Sequence, residues 1–348
     1  MLTTLLILLT LLLGAWAVAR FYLPGPDLSA FDLPRYDPVR AEVSAGHETV
    51  LQRVGEFVAA GARSKGRARL LQMRAAMEAL GADVDVSDFD IKPANANGVP
   101  AEWITCANTN PGRRLLYIHG GAFTLGSPRS HRGITTELVR RTRCAVLAID
   151  YRLMPEHPRK DGIVDCQTAY RWLTSHGPDG VSAAERLFVA GDSAGGNLTL
   201  MLIAWARDQS RRGQPLAPVD GAIALSPLTD ATFASPSISG NIGRDPMLGA
   251  MAAALTRLPR PLLLWMGLLQ NRMRPADPRL SPVYGDLAGL PPTLVQASEA
   301  EILIDDARRY VNRARAAGSP AELETWHGMV HVWQAFGRTL PEAEDAFN

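Results

Sequence analysis

Ser193 stands in Gly191-Asp192-Ser193-Ala194-Gly195-Gly196, a run of mostly small residues. An apolar stretch at 187–190 precedes it, and the apolar start of a helix at 197–205 follows. This is the G-x-S-x-G pattern, in which a tight strand-to-helix turn exposes a nucleophilic serine. A serine hydroxyl is a weak nucleophile until a base takes its proton. The base is a histidine, and a carboxylate orients it. Of seven histidines, His327 and His331 follow the last predicted strand. His331, on the turn entering the closing helix, is assigned as base, and His327, at the strand end, as support for the loop. The acid is sought in 298–306, where Glu299, Glu301, Asp305 and Asp306 compete. The carboxylate must sit on the loop before the helix carries side chains away, which favours Glu299 or Glu301. Residue types alone do not separate those two. Acyl transfer also needs fixed donors for an oxyanion. His119-Gly120-Gly121-Ala122 follows an early strand. Its Gly120 and Gly121 N–H groups, with that of Ala194, are expected to form a three-donor hole.

These residues need a scaffold that brings separate loops to one place. The pattern from 84 onward supplies it. Alternation through 84–91, an Asn-rich turn at 95–98 and a strand at 99–105 predict a hairpin. Short apolar strands follow at 114–118, 144–149, 187–190, 221–225, 292–297 and 321–326. Helices are expected at 132–141, 163–175, 197–209 and 300–317, with a closing helix from 332. The continuous apolar run at 144–149 marks a sheet covered on both faces. The fold class is therefore α/β, a mostly parallel sheet with right-handed crossovers. Two helices, 48–62 and 68–80, precede every strand of that series and must lie at a sheet edge or over the active face. Residues 230–285 interrupt the rhythm with seven prolines and no placeable strand. An insertion of that length at a strand end predicts a helical cap that packs with the early helices and walls the substrate pocket. The organisation is thus 1–23, an apolar segment; 24–83, linker and cap helices; 84–229, first part of the core; 230–285, cap; and 286–348, second part of the core.

Composition narrows the class of partner. The chain has 36 basic and 35 acidic side chains, so no electrostatic case exists for nucleic acid. Basic clusters at 63–74, 140–143 and 207–212 alternate with apolar residues and read as solvated helix faces. Cys106, Cys144 and Cys166 form neither a disulfide framework nor a metal-binding spacing, and buried free thiols are expected. Glu156-His157 lacks the partners of a metal site, and no cofactor or metal is expected. Residues 2–19 carry no charge and are rich in leucine. The reading favours a retained membrane anchor. A cleaved signal, leaving a secreted or periplasmic protein, and an interfacial helix are the alternatives.

The chain resembles the hormone-sensitive-lipase-like family of α/β-hydrolases, carboxylesterases that include arylacetamide deacetylases. The resemblance covers about 84–340. It rests on HGGAFTLGS from 119, DYRLMPEHP from 150, GDSAGG from 191, SPVYGDLAGLPPTLV from 281 and HGMVHVW from 327. It implies an α/β-hydrolase fold with the order Ser193, acid, His331. It puts the acid at Glu301, where the family more often carries aspartate. It treats Ala122, in place of the commoner last glycine, as shaping the loop rather than as an essential donor. It implies supporting roles for His119 and Asp192, and a buried Arg152–Glu156 pair that locks a loop under the site. The implied activity is hydrolysis of short- to medium-chain esters through an acyl-enzyme, with a small-molecule ester and water as partners. Amidase, deacetylase or acyltransferase chemistry on the same triad is the alternative. A serine peptidase, or a non-catalytic binder on the scaffold, stands further off.

Overall fold

The computed structural model describes residues 1–348 apart from Ala41, Arg63 and the side chain of Arg338. Arg63, the first residue of one basic cluster, therefore lies outside the described residues. Nine strands form one sheet in the order β1-β11-β10-β9-β8-β4-β5-β3-β2. In chain order these are β1 (Pro38–Arg40), β2 (Asp90–Ala96), β3 (Val99–Thr105), β4 (Asn110–Ile118) and β5 (Cys144–Ile149), then β8 (Arg186–Asp192), β9 (Gly221–Leu225), β10 (Thr293–Ser298) and β11 (Ala321–Trp326). A separate two-stranded ladder joins β6 (His176–Gly177) to β7 (Gly180–Val181). The pairings from β1 through β5 are parallel, whereas β3 runs antiparallel to β5 and to β2. Every residue of β5 is buried, as its unbroken apolar run requires.

The hairpin closes through Asn97-Gly98, both at positive φ, the pair a tight two-residue turn demands. Pairing begins at Asp90, so the alternation of Val84 and Val86 belongs to the approach rather than to the strand. β1 lies in the segment read as linker. Its three residues carry too little pattern to be seen, and its register comes from β11.

Helices cover both faces. These are α4 (Arg132–Thr142) on one side, and α5 (Arg159–Leu173), α6 (Ala194–Arg211) and α10 (Ile304–Ala316) on the other. The predicted closing helix is instead a 3-10 segment, Trp333–Thr339, and a short α11 (Pro341–Ala346). Gly337, at φ 46°, kinks the chain within the Trp333–Thr339 segment.

The early helices α2 (Gly46–Ala62) and α3 (Gly66–Leu80) lie over the active face. Val50 and Val54 of α2 pack on Trp326, Met329, Val330 and Trp333, and Arg74 of α3 donates to the Thr124 carbonyl at 2.8 Å. Between β9 and β10 come α7 (Ser237–Gly240), α8 (Gly249–Thr256), α9 (Arg260–Asn271) and a 3-10 turn, Pro282–Tyr284, with no strand among the described residues. The chain begins with α1 (Leu2–Ala17), extended by a π-helical turn, Val18–Tyr22. This N-terminal segment packs on α9, through Ala19, Leu23 and Leu264, while Met247 of the 230–285 stretch packs on the cluster that holds Val50 and Val54 of α2.

Candidate active site

The site assembles at the carboxyl ends of parallel strands. β4 leads to β5 on one side, and β8 returns to the other side of β4. That reversal is a topological switch point, where loops diverge and leave a crevice. Ser193 follows β8, His119 follows β4, Glu301 follows β10 and His331 follows β11.

Ser193 sits at φ 51°, ψ −113°, a region that costs about 1–3 kcal/mol for a residue with a side chain. The surrounding structure enforces it. The Ser193 N–H donates to the Leu225 carbonyl of β9 at 2.7 Å, and α6 starts at the next residue. A Cβ on Gly195 would lie 1.9 Å from the Ile118 carbonyl oxygen, so only glycine lets the elbow close on β4.

His331 Nε2 lies 2.9 Å from Ser193 Oγ, and His331 Nδ1 lies 2.5 Å from Glu301 Oε2. Glu301 is fully buried. Its other oxygen accepts from Ser226 Oγ at 2.8 Å and the Ser298 N–H at 2.7 Å, so the carboxylate has one geometry. Burial of His331 favours the neutral ring. The charge and hydrogen bond of Glu301 outweigh that and raise its pKa above the ordinary histidine value.

The other acids have separate work. Glu299 pairs with Arg308 at 3.2 Å. Asp305 accepts the Ser237 N–H at 2.8 Å, and Asp306 accepts the N–H groups of Thr229 and Asp230 at 2.7 and 2.8 Å. His327 is exposed, and its N–H joins the Arg40 carbonyl of β1 at 3.2 Å.

The donor loop differs from the expected one. The Gly120 N–H is bound to Asp192 Oδ1 at 2.9 Å and is not free for an oxyanion. Peptide planarity decides which donors are. The Gly120 carbonyl is held by His119 Nδ1 at 2.8 Å, which turns the N–H of Gly121 the opposite way. The Gly121 carbonyl accepts from Leu125 N–H at 2.8 Å, which does the same for Ala122. Gly121 and Ala122 both have positive φ, 106° and 52°. The N–H groups of Gly121, Ala122 and Ala194 meet no acceptor among the described residues. Gly120, expected as a donor, is thus not among the free N–H groups, because Asp192 already takes its N–H, and Ala122 is.

Asp192 itself is buried and also accepts Tyr117 Oη at 2.5 Å, with His131 Nε2 at 3.4 Å. Burial alone would raise its pKa, but the His131 charge and these hydrogen bonds lower it below the usual carboxylate range. His119 is buried against Tyr151, ring centroids 4.4 Å apart. Burial and the neighbouring His131 push its pKa down to about 3, so the ring is neutral.

The Arg152–Glu156 pair does not form. Arg152 binds Asp165 at 2.7 Å and Asp161 at 3.1 Å, two acids one helical turn apart at the start of α5. Glu156 turns outward to Arg74 of α3 at 2.8 Å, and both Glu156 and Arg152 side chains are over 40% exposed. The hydrogen bond from Arg74 takes the Glu156 pKa down to about 2. A partner 82 positions away in sequence leaves no local trace.

Three contributors escaped sequence reasoning: Tyr117, His131 and Ser226. Ser226 ends β9 as Ser193 ends β8, and that shared strand-end position was the available signal. Tyr117 and His131 carried none. The arginine at 159, which no basic-face reading singled out, is buried under Phe123 of the donor loop, 3.1 Å from the ring centroid, and donates to Asn197 Oδ1 at 2.7 Å.

Residues 115–335 match the model of a family described by its α/β-hydrolase fold. An acetyl-hydrolase of Streptomyces hygroscopicus is 38% identical over 71% of this chain and 76% of its own length. An esterase of Acinetobacter venetianus is 35% identical over 74% of this chain and 78% of its own. The crystal structure of an esterase from the bacterial hormone-sensitive lipase family superposes with a TM-score of 0.74 at 34% identity, covering 88% of this chain and 96% of that one. The strand order, the elbow after β8 and these similarities place the chain in the α/β-hydrolase family, beside the esterases of the hormone-sensitive-lipase type.

Proposed function

We propose that the protein is a carboxylic ester hydrolase in which Ser193 is nucleophile, His331 general base and acid, and Glu301 the orienting carboxylate. The observation that carries this reading is the continuous chain Ser193 Oγ–His331 Nε2–Nδ1–Glu301 Oε2, at 2.9 and 2.5 Å, beside unengaged N–H groups. Ser193 Oγ attacks the ester carbonyl as its proton passes to His331 Nε2. The oxyanion is held by the N–H groups of Gly121, Ala122 and Ala194. The imidazolium, stabilised by Glu301, then protonates the departing alkoxide and leaves Ser193 acylated. Water, deprotonated by the same ring, attacks the acyl carbon, and collapse returns the serine hydroxyl and releases the acid. Asp192 and His119 act one step removed, by fixing the peptide planes that present the donors.

The relatives named as esterase and acetyl-hydrolase support ester substrates, and we read the acyl groups as short to medium in length. The 21-residue apolar helix Leu2–Tyr22, almost wholly exposed, supports a retained N-terminal membrane anchor that holds the catalytic domain at a bilayer. A panel of p-nitrophenyl esters from acetyl to decanoyl, run with the native protein and with Ser193→Ala, tests the reading. Turnover confined to the native protein and highest at short or medium chains is expected. Equal turnover by both proteins would overturn the assignment.

A further inference from the structure

The helix α9 presents an inner and an outer face of unusual likeness. Inside, Leu263 and Leu264 are buried, and Leu264 packs on Ala19 and Leu23 at the end of the N-terminal helix. Trp265 Nε1 donates to the Ala15 carbonyl at 3.2 Å across the same junction. Outside, Leu262, Met266 and Leu269 follow one another at the spacing of a single helix face, with Leu258 just before them. Leu269 is 73% exposed. A helix face that meets only water is normally polar, and an exposed apolar row of this kind marks an interaction surface.

The charge around the row says what meets it. Residues 246–276 contain four arginines, at 257, 260, 272 and 274, and no aspartate or glutamate. The chain as a whole is almost balanced at +1, so this stretch carries an uncompensated excess. Arg257, Arg260 and Arg272 are exposed, and no ion pair holds any of the four among the described residues. Apolar side chains ringed by arginines fit a lipid interface, where the former enter the acyl boundary and the latter meet anionic headgroups. The row also lies within a turn or two of the point where the apolar N-terminal helix leaves the domain. A bilayer holding that helix would pass beside it.

We propose that the outer face of α9 rests on the headgroup region of an anionic bilayer, next to the point where the N-terminal helix enters it. This rests on the anchor reading given above and adds a second contact that fixes the tilt of the catalytic domain. The cap, rather than the opposite side of the sheet, then faces the lipid.

The test uses the full chain reconstituted in phosphatidylcholine vesicles with and without about 30% phosphatidylglycerol, which supplies the negative surface that attracts arginines. In a Cys106→Ser background, single variants Leu269→Cys, Met266→Cys, Val181→Cys and Leu8→Cys carry an environment-sensitive fluorophore, and nitroxide-labelled lipids are the quencher. Circular dichroism confirms folding of each. Probes at 269 and 266 are expected to be quenched several-fold more than the one at 181, and more so with phosphatidylglycerol. Arg257→Gln, Arg260→Gln and Arg272→Gln together should reduce that lipid dependence. Quenching at position 8 with none at 269 or 266 would overturn the cap contact while leaving the anchor standing. No quenching at position 8 would remove the anchor reading and this proposal with it. A blue shift at 269 without lipid quenching would mean that protein covers the face, and would overturn the proposal too.

Discussion

The strand-end loops and the region around α9 are built on opposite principles. Around Ser193, polar groups are buried and their geometry is set by hydrogen bonds. Glu301 and Asp192 each accept three contacts within 3.4 Å, and little of either is exposed. Around α9, apolar groups are exposed and the four arginines make no ion pair among the described residues. The first arrangement makes single atoms count, because an unpaired buried polar group costs far more than the net worth of its bond. The second makes single atoms dispensable, because a surface contact is spread over many side chains. Replacements should therefore separate the two regions by orders of magnitude.

The largest effect is expected at Ser193→Ala, with p-nitrophenyl ester turnover falling by at least about ten-thousand-fold while the thermal transition hardly moves. Retained turnover would break the comparison at its centre. Glu301→Gln comes next, at about ten-thousand-fold in kcat, since the amide presents the wrong partner to His331 Nδ1. Glu299→Gln, whose carboxylate serves Arg308 instead, should change kcat by only a few-fold. The reverse ranking would move the acid. Asp192→Asn should lower both rate and stability, the latter by on the order of 3 kcal/mol, because Tyr117, Gly120 and His131 all lean on its charge. Denaturant unfolding measures this.

The pH profile sharpens the same point. Only neutral His331 can take the serine proton. Its pKa is raised, so kcat/KM should fall on the acid side below a midpoint higher than the ordinary histidine value near 6.5. Glu301→Gln should shift that midpoint down, since burial is then opposed only by the more distant charges of Asp245 and Asp192. A midpoint that stays put would argue that Glu301 does not face the ring in solution. The smallest effect is expected at Leu269→Ser, less than about 0.5 kcal/mol in unfolding free energy, as for exposed positions generally.

Much of the scaffold was legible in the sequence. Apolar runs and alternation placed β5, β9 and β11 at their observed bounds: β5 is buried throughout and has no polar residue to blur its ends, whereas β11 alternates, with Glu322 and Glu324 on its less buried face. The 3-10 break at Gly337 and the edge strand β1 were not legible. Each depends on what a short, weakly patterned segment packs against. In the site, Ser193 and His331 could be picked out because each sits in a local motif. Arg152, Glu156 and Arg74 could not be paired, since their partners are set by how α3 and α5 dock on the sheet.

The sequence by itself determined the kind of chemistry on offer: a strained serine between strand and helix, histidines and acids on later strand-end loops, and two glycines after an early strand. It also determined that a long insertion without a strand pattern and an apolar N-terminal helix would have to be housed. Only the tertiary structure decided which acid faces His331, and which three N–H groups are free. The physical reason is the same in both cases. A carboxylate or a peptide N–H has no role of its own until its nearest competitor is known. Arg308 claims Glu299 and Asp192 claims Gly120, and both claims are made across the fold rather than along the chain.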